Sequence, residues 1–319
     1  MFAYALRRLL QTIPLFLIAS MIIFWAITQL GDPLARLATC NTCDEADFQR
    51  LRDIYQLELS VPERWWSWFS DIIFRGDFGE ATSESFLPVW PLIFEKIRNT
   101  LMLAVPALIL TVLVATSLAV WSALRQYKLS DYAITSFAFL GIALPTFVLG
   151  LGLQAFFLWL LSEYDIKPFF IQGKNSDTWL ELVQSLVLPI ITLSMVTIGG
   201  ESRFGRSAML EVLNSDYIRT ARAKGLPERT VIFKHGLRNA LVVFVTIWAL
   251  DFAALLGGSV VTESVFQWPG LGRALLDAIF SQDIDLAMAA IFFVSLMAVG
   301  FNLLADLIYG IIDPRIRYE

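Results

Sequence analysis

Charge is what this 319-residue chain most lacks: Asp, Glu, Lys and Arg make up 17% of it, against roughly a quarter in a soluble domain. Hydrophobic residues reach 57% and mean hydropathy is +0.64, a balance that excludes an ordinary soluble fold and fits an integral membrane protein. There is one histidine, His235, and there are two cysteines, Cys40 and Cys43. So little His and Cys excludes a metal centre and leaves no cluster from which an enzyme inside a membrane builds catalysis. No GxxxxGK[ST] phosphate loop occurs anywhere, so the chain carries no ATPase site of that kind. Basic residues are few and border membrane segments, which argues against nucleic acid as a partner.

Apolar sequence is abundant. Runs fall at 9–30, 100–124, 133–161, 184–200, 239–262 and 286–310, each near or above the roughly 20 residues that cross a hydrocarbon core. They predict an all-α protein with six transmembrane helices. Pro14, Pro106, Pro145 and Pro189 fall inside runs and predict kinks that neighbouring helices tolerate. The first run is read as an uncleaved span, because no small-residue cleavage site precedes Gly31 and Asp32.

Basic residues orient these spans. Arg7 and Arg8 precede the first, Arg125 and Lys128 follow the second, and residues 201–238 hold eight Lys/Arg, whereas 263–285 hold only Arg273. The positive-inside rule then puts both termini in the cytoplasm. Segment 31–99 carries seven basic and twelve acidic residues and is long enough to escape the rule, so it is placed outside. Within it, WWSWF at 65–69 followed by DIIF reads as an amphipathic stretch, either an interfacial helix or a loop anchored by tryptophan. Cys40 and Cys43, in CNTC on this side, are candidates for a local structural disulfide. The chain is divided at 99/100, between the first span with its outer segment (1–99) and a five-helix core (100–319).

The most informative segment is 211–239, EVLNSDYIRTARAKGLPERTVIFKHGLRN. Ser215 or Asp216 caps a short helix, and Gly225 followed by Pro227 stops it. Pro227 is placed at the first position of a second helix running into the fifth span. The two helices form a stiff basic hairpin, able to pass a push into the membrane. A solvated loop that only enforces topology is the alternative.

RTARAKGL at 219–226 with HGLRNAL at 235–241 resembles the coupling loop of binding-protein-dependent ABC importer permeases, in the form used by the dipeptide, oligopeptide and nickel group. YALRRLLQTIPLF near the start, GDFG at 76–79, NTL at 99–101, TESVFQWPGLGRALLDAI at 262–279 and NLLADLIYGIIDPRIR at 302–317 are similar to the B-type subunit of that group in order and spacing. Arg219 and Thr220 stand where the general importer pattern has glutamate and alanine, Val243 replaces a frequent proline, and Asp285 another. The resemblance implies a type I importer permease fold in a bacterial or archaeal cytoplasmic membrane. It also implies a homologous second permease, two cytoplasmic ATPases that use ATP and magnesium, and an extracytoplasmic binding protein. This chain would bind no cofactor. Tyr217, Arg219, Thr220, Ala221, Arg222, Ala223, Lys224, Gly225 and Leu226 would form the ATPase-coupling helix, with Ala and Gly permitting close approach.

The substrate path is less marked. Asp251 and Asp306 sit well inside apolar sequence, with Glu201 and Glu263 at edges. Pro145, Asp251, Glu263, Trp268, Pro269 and Gly270 are the candidates for path or gate, WPGLG at 268–272 being equally a plain turn between spans five and six. Few fixed charges suit peptide cargo handled through its backbone; nickel or another small solute is the alternative. A secondary transporter is disfavoured by the lack of a repeat with paired broken helices.

Overall fold

The computed structural model describes residues 2–29, 32, 34, 45–84 and 86–312, so Cys40 and Cys43 lie outside the described residues, as does the side chain of Asp306. Helix α1 covers Phe2–Gln29, α2 Glu45–Ile54 and α3 Val61–Arg75; strands β1 (Glu80–Ala81) and β2 (Leu87–Pro88) pair antiparallel. Then come α4 (Val89–Leu124), α5 (Leu129–Ala143), α6 (Thr146–Tyr164), α7 (Trp179–Leu213) and α8 (Asp216–Ala223). One turn, α9 (Glu228–Thr230), widens into a π-helical stretch, Val231–Leu237, and continues as α10 (Arg238–Val265), α11 (Leu271–Phe280) and α12 (Ile284–Ile312).

Each predicted span has a helix, with two revisions. The third, expected over 133–161 as one span kinked at Pro145, is two helices: Leu144 and Pro145 are both extended, because proline forces the residue before it out of helical geometry and lacks the N–H that continuation needs. The fourth, the shortest in apolar length, belongs to a 35-residue helix that is about 52 Å long and so outruns a 30 Å core. A capping box fixes its start: Glu181 N–H donates to Thr178 Oγ1 and Thr178 N–H to the Glu181 carboxylate, both at 3.2 Å.

Two compact units arise. One holds Phe2–Thr100 with Pro269–Val299, the other Leu101–Trp268 with Gly300–Glu319, so the structure adds 269–299 to the residues grouped by sequence as 1–99. The first has a core of its own, in which Phe24 and Ile27 of α1, Trp68 and Ile72 of α3, Phe78 and residues 286–290 of α12 are buried together. Segment 45–99 is therefore folded rather than a tethered loop. Capping explains α3: Ser60 N–H donates to Glu63 at 2.9 Å, and Gly76, at φ +66°, closes the far end. The Glu63 carboxyl is held below its usual range by the Ser60 hydrogen bonds.

The second unit packs α4, α5, α7 and α10 through small residues, as helices do where lipid removes the drive to hide apolar surface from water. A β-carbon on Gly199 would meet the Ala138 carbonyl oxygen at 2.6 Å, and one on Gly205 the Phe244 ring at 2.3 Å.

Candidate coupling site and outer turn

The hairpin forms, and its stiffness has identifiable causes. In α8 the residues Ile218 and Ala221 are one turn apart on one face and are buried with Val231 of the returning arm. At the corner Gly225 takes φ +74°. Its N–H bonds to Arg222 O at 2.9 Å and Leu226 N–H reaches Ala221 O at 3.4 Å, the paired bonds of a Schellman close. Across the corner Arg222 and Glu228 form an ion pair at 2.8 Å, and this guanidinium holds the Glu228 carboxyl below its ordinary range. Ser215 is at the N-cap position, but its hydroxyl donates back to Val212 O at 2.6 Å and caps nothing.

Two sequence expectations are corrected. Pro227 is the N-cap of the second arm, one residue ahead of its expected place. Ala221 points inward, so its small size serves the α8 contact with Val231; Tyr217, Arg219, Thr220, Ala223, Lys224, Gly225 and Leu226 form the exposed side. Arg222, on the same exposed side, spends its guanidinium on Glu228.

The returning arm roots the hairpin. Ile232 packs in a buried cluster with Ala119, Val120 and Ala123 of α4, Met209 of α7, and Ala240 and Phe244 of α10. Displacing the knob therefore loads three long helices at once. A second tie lies beside it: Arg206 donates through Nε and Nη2, each at 2.7 Å, to the two carboxylate oxygens of Asp131, which also accepts from Ser122 Oγ and from Tyr127 N–H at 2.9 Å. Sequence reasoning missed this fork, since its members are 75 positions apart and no spacing rule joins them.

The candidate path residues scatter. Asp251 is half-buried beside Glu201, whose carboxylate accepts from Trp248 Nε1 at 3.0 Å. Glu201, expected at the edge of a span, is inside one and 1% exposed, because α7 continues well past it. Trp268 is also corrected: at 0% exposure, clustered with Leu103, Ala107, Leu193 and Leu255, its ring lines no passage within this chain. Glu263 is equally buried, and its backbone carbonyl accepts from Trp268 N–H at 2.8 Å. Pro145 is exposed at the α5/α6 break.

The WPGLG turn opens into α11, with Gly270 at the N-cap position. In the first unit, Asn99 donates to the Pro269 carbonyl at 2.9 Å and Leu271 N–H to Thr100 Oγ1 at 2.8 Å. Thus NTL and WPGLG, far apart in sequence, close on each other. That unit also holds a cavity of about 270 Å³ lined by Tyr55, Arg64, Trp68, Asp71, Asp77 and Asp285 among others. Burial, with Asp283 and Asp285 adding negative charge, pushes the Tyr55 hydroxyl far above its usual range. Among the described residues no group of His, Cys, Asp and Glu is arranged to hold a metal ion.

Long apolar helices, a folded insertion after the first of them and a rooted hairpin between α7 and α10 together define a multi-pass membrane permease subunit. The sequence comparisons make the assignment: the chain belongs to the family of binding-protein-dependent transport system inner membrane components, whose pattern matches residues 115–318, with the N-terminal part of that component matching 1–115. It is 38% identical over its full length, and the relative's, to the oligopeptide transport system permease protein AppB of Bacillus subtilis. Identity is 36% to the glutathione transport system permease protein GsiC of Pectobacterium atrosepticum and 34% to that of Escherichia coli K12, again across both full lengths. Among solved structures, an inward-facing MetNI methionine ABC transporter chain matches with a TM-score of 0.57 at 14% identity, covering 70% of this chain and 96% of that one. That likeness bears on the fold, which is the type I importer permease fold.

Proposed function

We propose that this chain is one of the two permease subunits of an ATP-driven importer of short peptides, forming half of the translocation pathway. The observation that carries the reading is full-length likeness to permeases named for oligopeptide and glutathione transport, glutathione itself being a small peptide. A nickel or other small-solute cargo is less favoured, since a transition metal in transit would want imidazole or thiolate ligands. The single histidine sits on the hairpin.

The motor resides on other polypeptides. Two cytoplasmic ATPases would use ATP and magnesium, the exposed side of 215–226 would seat in a groove on one of them, and closure of the pair would rock the permeases between inward- and outward-facing states. An extracytoplasmic binding protein would deliver cargo and set most of the selectivity, with both termini of this chain in the cytoplasm. Asp251, Pro145 and the turn at Pro269 and Gly270 remain the proposed pathway or gate residues, with buried Glu263 and Trp268 supporting from behind, and Cys40 with Cys43 a proposed disulfide.

The test is reconstitution. Copurification should recover ATPase subunits and a second permease, and proteoliposomes holding the complex and its binding protein should take up a labelled peptide only with ATP. Uptake by this chain alone, or ATPase activity unresponsive to the loaded binding protein, would overturn the proposal.

A further inference from the structure

Helix α3 has two apolar sides, and only one is used inside the protein. Trp68 and Ile72 are buried in the core of the first unit, while Trp66 (58%), Ile73 (56%) and Phe74 (80%) stand exposed. Trp66 and Ile73 are seven residues apart and Phe74 follows, so they share one side of the helix. Such a surface in water would be an unusual apolar patch.

The packed side shows where that surface lies. Trp65 Nε1 donates to Ser20 Oγ at 3.2 Å, and the Arg64 guanidinium is 5.7 Å from the centre of the Phe24 ring. Ser20 is nine residues before the end of α1 at Gln29, about 14 Å below it along the axis. A second span gives the same depth from an independent direction. Trp68 and Phe292 line one small gap, and Phe78, just past α3, is 5.8 Å from the Phe292 ring. Phe292 is eight residues into α12 from Ile284, about 12 Å along its axis. The first half of α3 and the segment just past its end therefore meet spanning helices well inside their tips, so the helix lies across them rather than rising into solvent.

We propose that α3 is an interfacial membrane helix, seated across α1 and α12 in the leaflet on the insertion's side, with Trp66, Ile73 and Phe74 against lipid acyl chains. Its inward side carries Arg64 and Asp71 beside Trp68, all lining the carboxylate-lined cavity, and exposed Glu63 and Arg75 lie near its ends, the arrangement of a helix lying in a bilayer boundary. Acyl chains are the occupant because hydrocarbon is the medium at that depth beside a spanning helix. The insertion is then a part of the protein that reads the bilayer as well as the space above it.

The test uses the assembled complex in liposomes, with Cys40 and Cys43 replaced by serine and one cysteine introduced by Trp66→Cys, Phe74→Cys or Glu63→Cys, each carrying a fluorophore. The expected ratio of quenching by nitroxide-bearing lipid to quenching by aqueous iodide is several-fold higher at 66 and 74 than at 63. Phe74, the most exposed of the three apolar residues, keeps the test open if Trp66→Cys fails to assemble. Iodide-dominated quenching at 66 and 74 would overturn the proposal in favour of a water-facing helix. Shielding of both positions from both quenchers would overturn it in favour of a protein partner on this face.

Discussion

Replacing Gly225 with valine isolates the backbone of the hairpin corner from everything around it. The glycine has φ +74°, and a β-carbon built there meets nothing within 4 Å, so no steric clash contributes. What remains is the cost of a left-handed conformation for an ordinary L-residue, about 1–2 kcal/mol, with a β-branched side chain at the upper end. A difference of that size is a factor of about 5–30 in a two-state equilibrium. The fraction of complexes whose knob holds the Schellman corner should fall accordingly, while α8 stays packed on Val231 and the spans stay inserted. Asparagine, which visits the left-handed region readily, should cost less, giving the order Gly, Asn, Ala, Val for coupling. Peptide-stimulated ATPase and uptake in proteoliposomes, normalised to assembled complex, measure it. Wild-type coupling in Gly225→Val would refute the reasoning, and an asparagine variant as impaired as valine would show that bulk, not backbone geometry, matters.

Asp131→Ala should destabilise the protein by about 3–5 kcal/mol, because it strands the Arg206 guanidinium that the fork now satisfies, and should lower the thermal midpoint in lipid nanodiscs well beyond the shift of an exposed control such as Asp216→Ala. Gly79 has φ +81°, and a β-carbon there would lie 2.3 Å from Asp285 Oδ2. Gly79→Ala should therefore impair assembly, and adding Asp285→Ala should recover only the steric part, leaving about 1–2 kcal/mol of backbone cost. Glu228 has a folded pKa below its unfolded one, so its support of the corner is complete above the ordinary glutamate range and disappears as pH falls through the lowered value. Coupling should weaken on acidification in that window, and Glu228→Gln should show the weakened level at neutral pH without further acid loss, both read by stimulated ATPase.

Spans and hairpin were legible because each is written in local sequence. Twenty apolar residues need no partner to declare a helix, and a glycine followed two positions later by a proline declares its end. Pro145 could be seen, but whether it kinks or breaks a span depends on whether neighbours stabilise the freed backbone. The burial of Glu201 and Trp268 was hidden for a different reason: α7 runs past its apolar stretch, and Trp268 is covered by residues from three other parts of the chain. The joining of NTL to WPGLG was invisible too, although both motifs were noticed, since hydrogen bonds across about 170 positions leave no periodicity to read.

The widened turns at Val231–Leu237 have a geometric consequence. Each residue there winds the chain through a smaller angle than in the α-helix that follows, and Asn239 spends its side-chain amide on the His235 carbonyl at 2.8 Å to steady the loosened ladder. The compass bearing of the knob about the axis of α10 is thus fixed by how many residues the slack stretch contains. Removing one of them would tighten the coil into regular winding and swing the knob sideways, leaving its surface chemistry intact but aimed at the wrong neighbour.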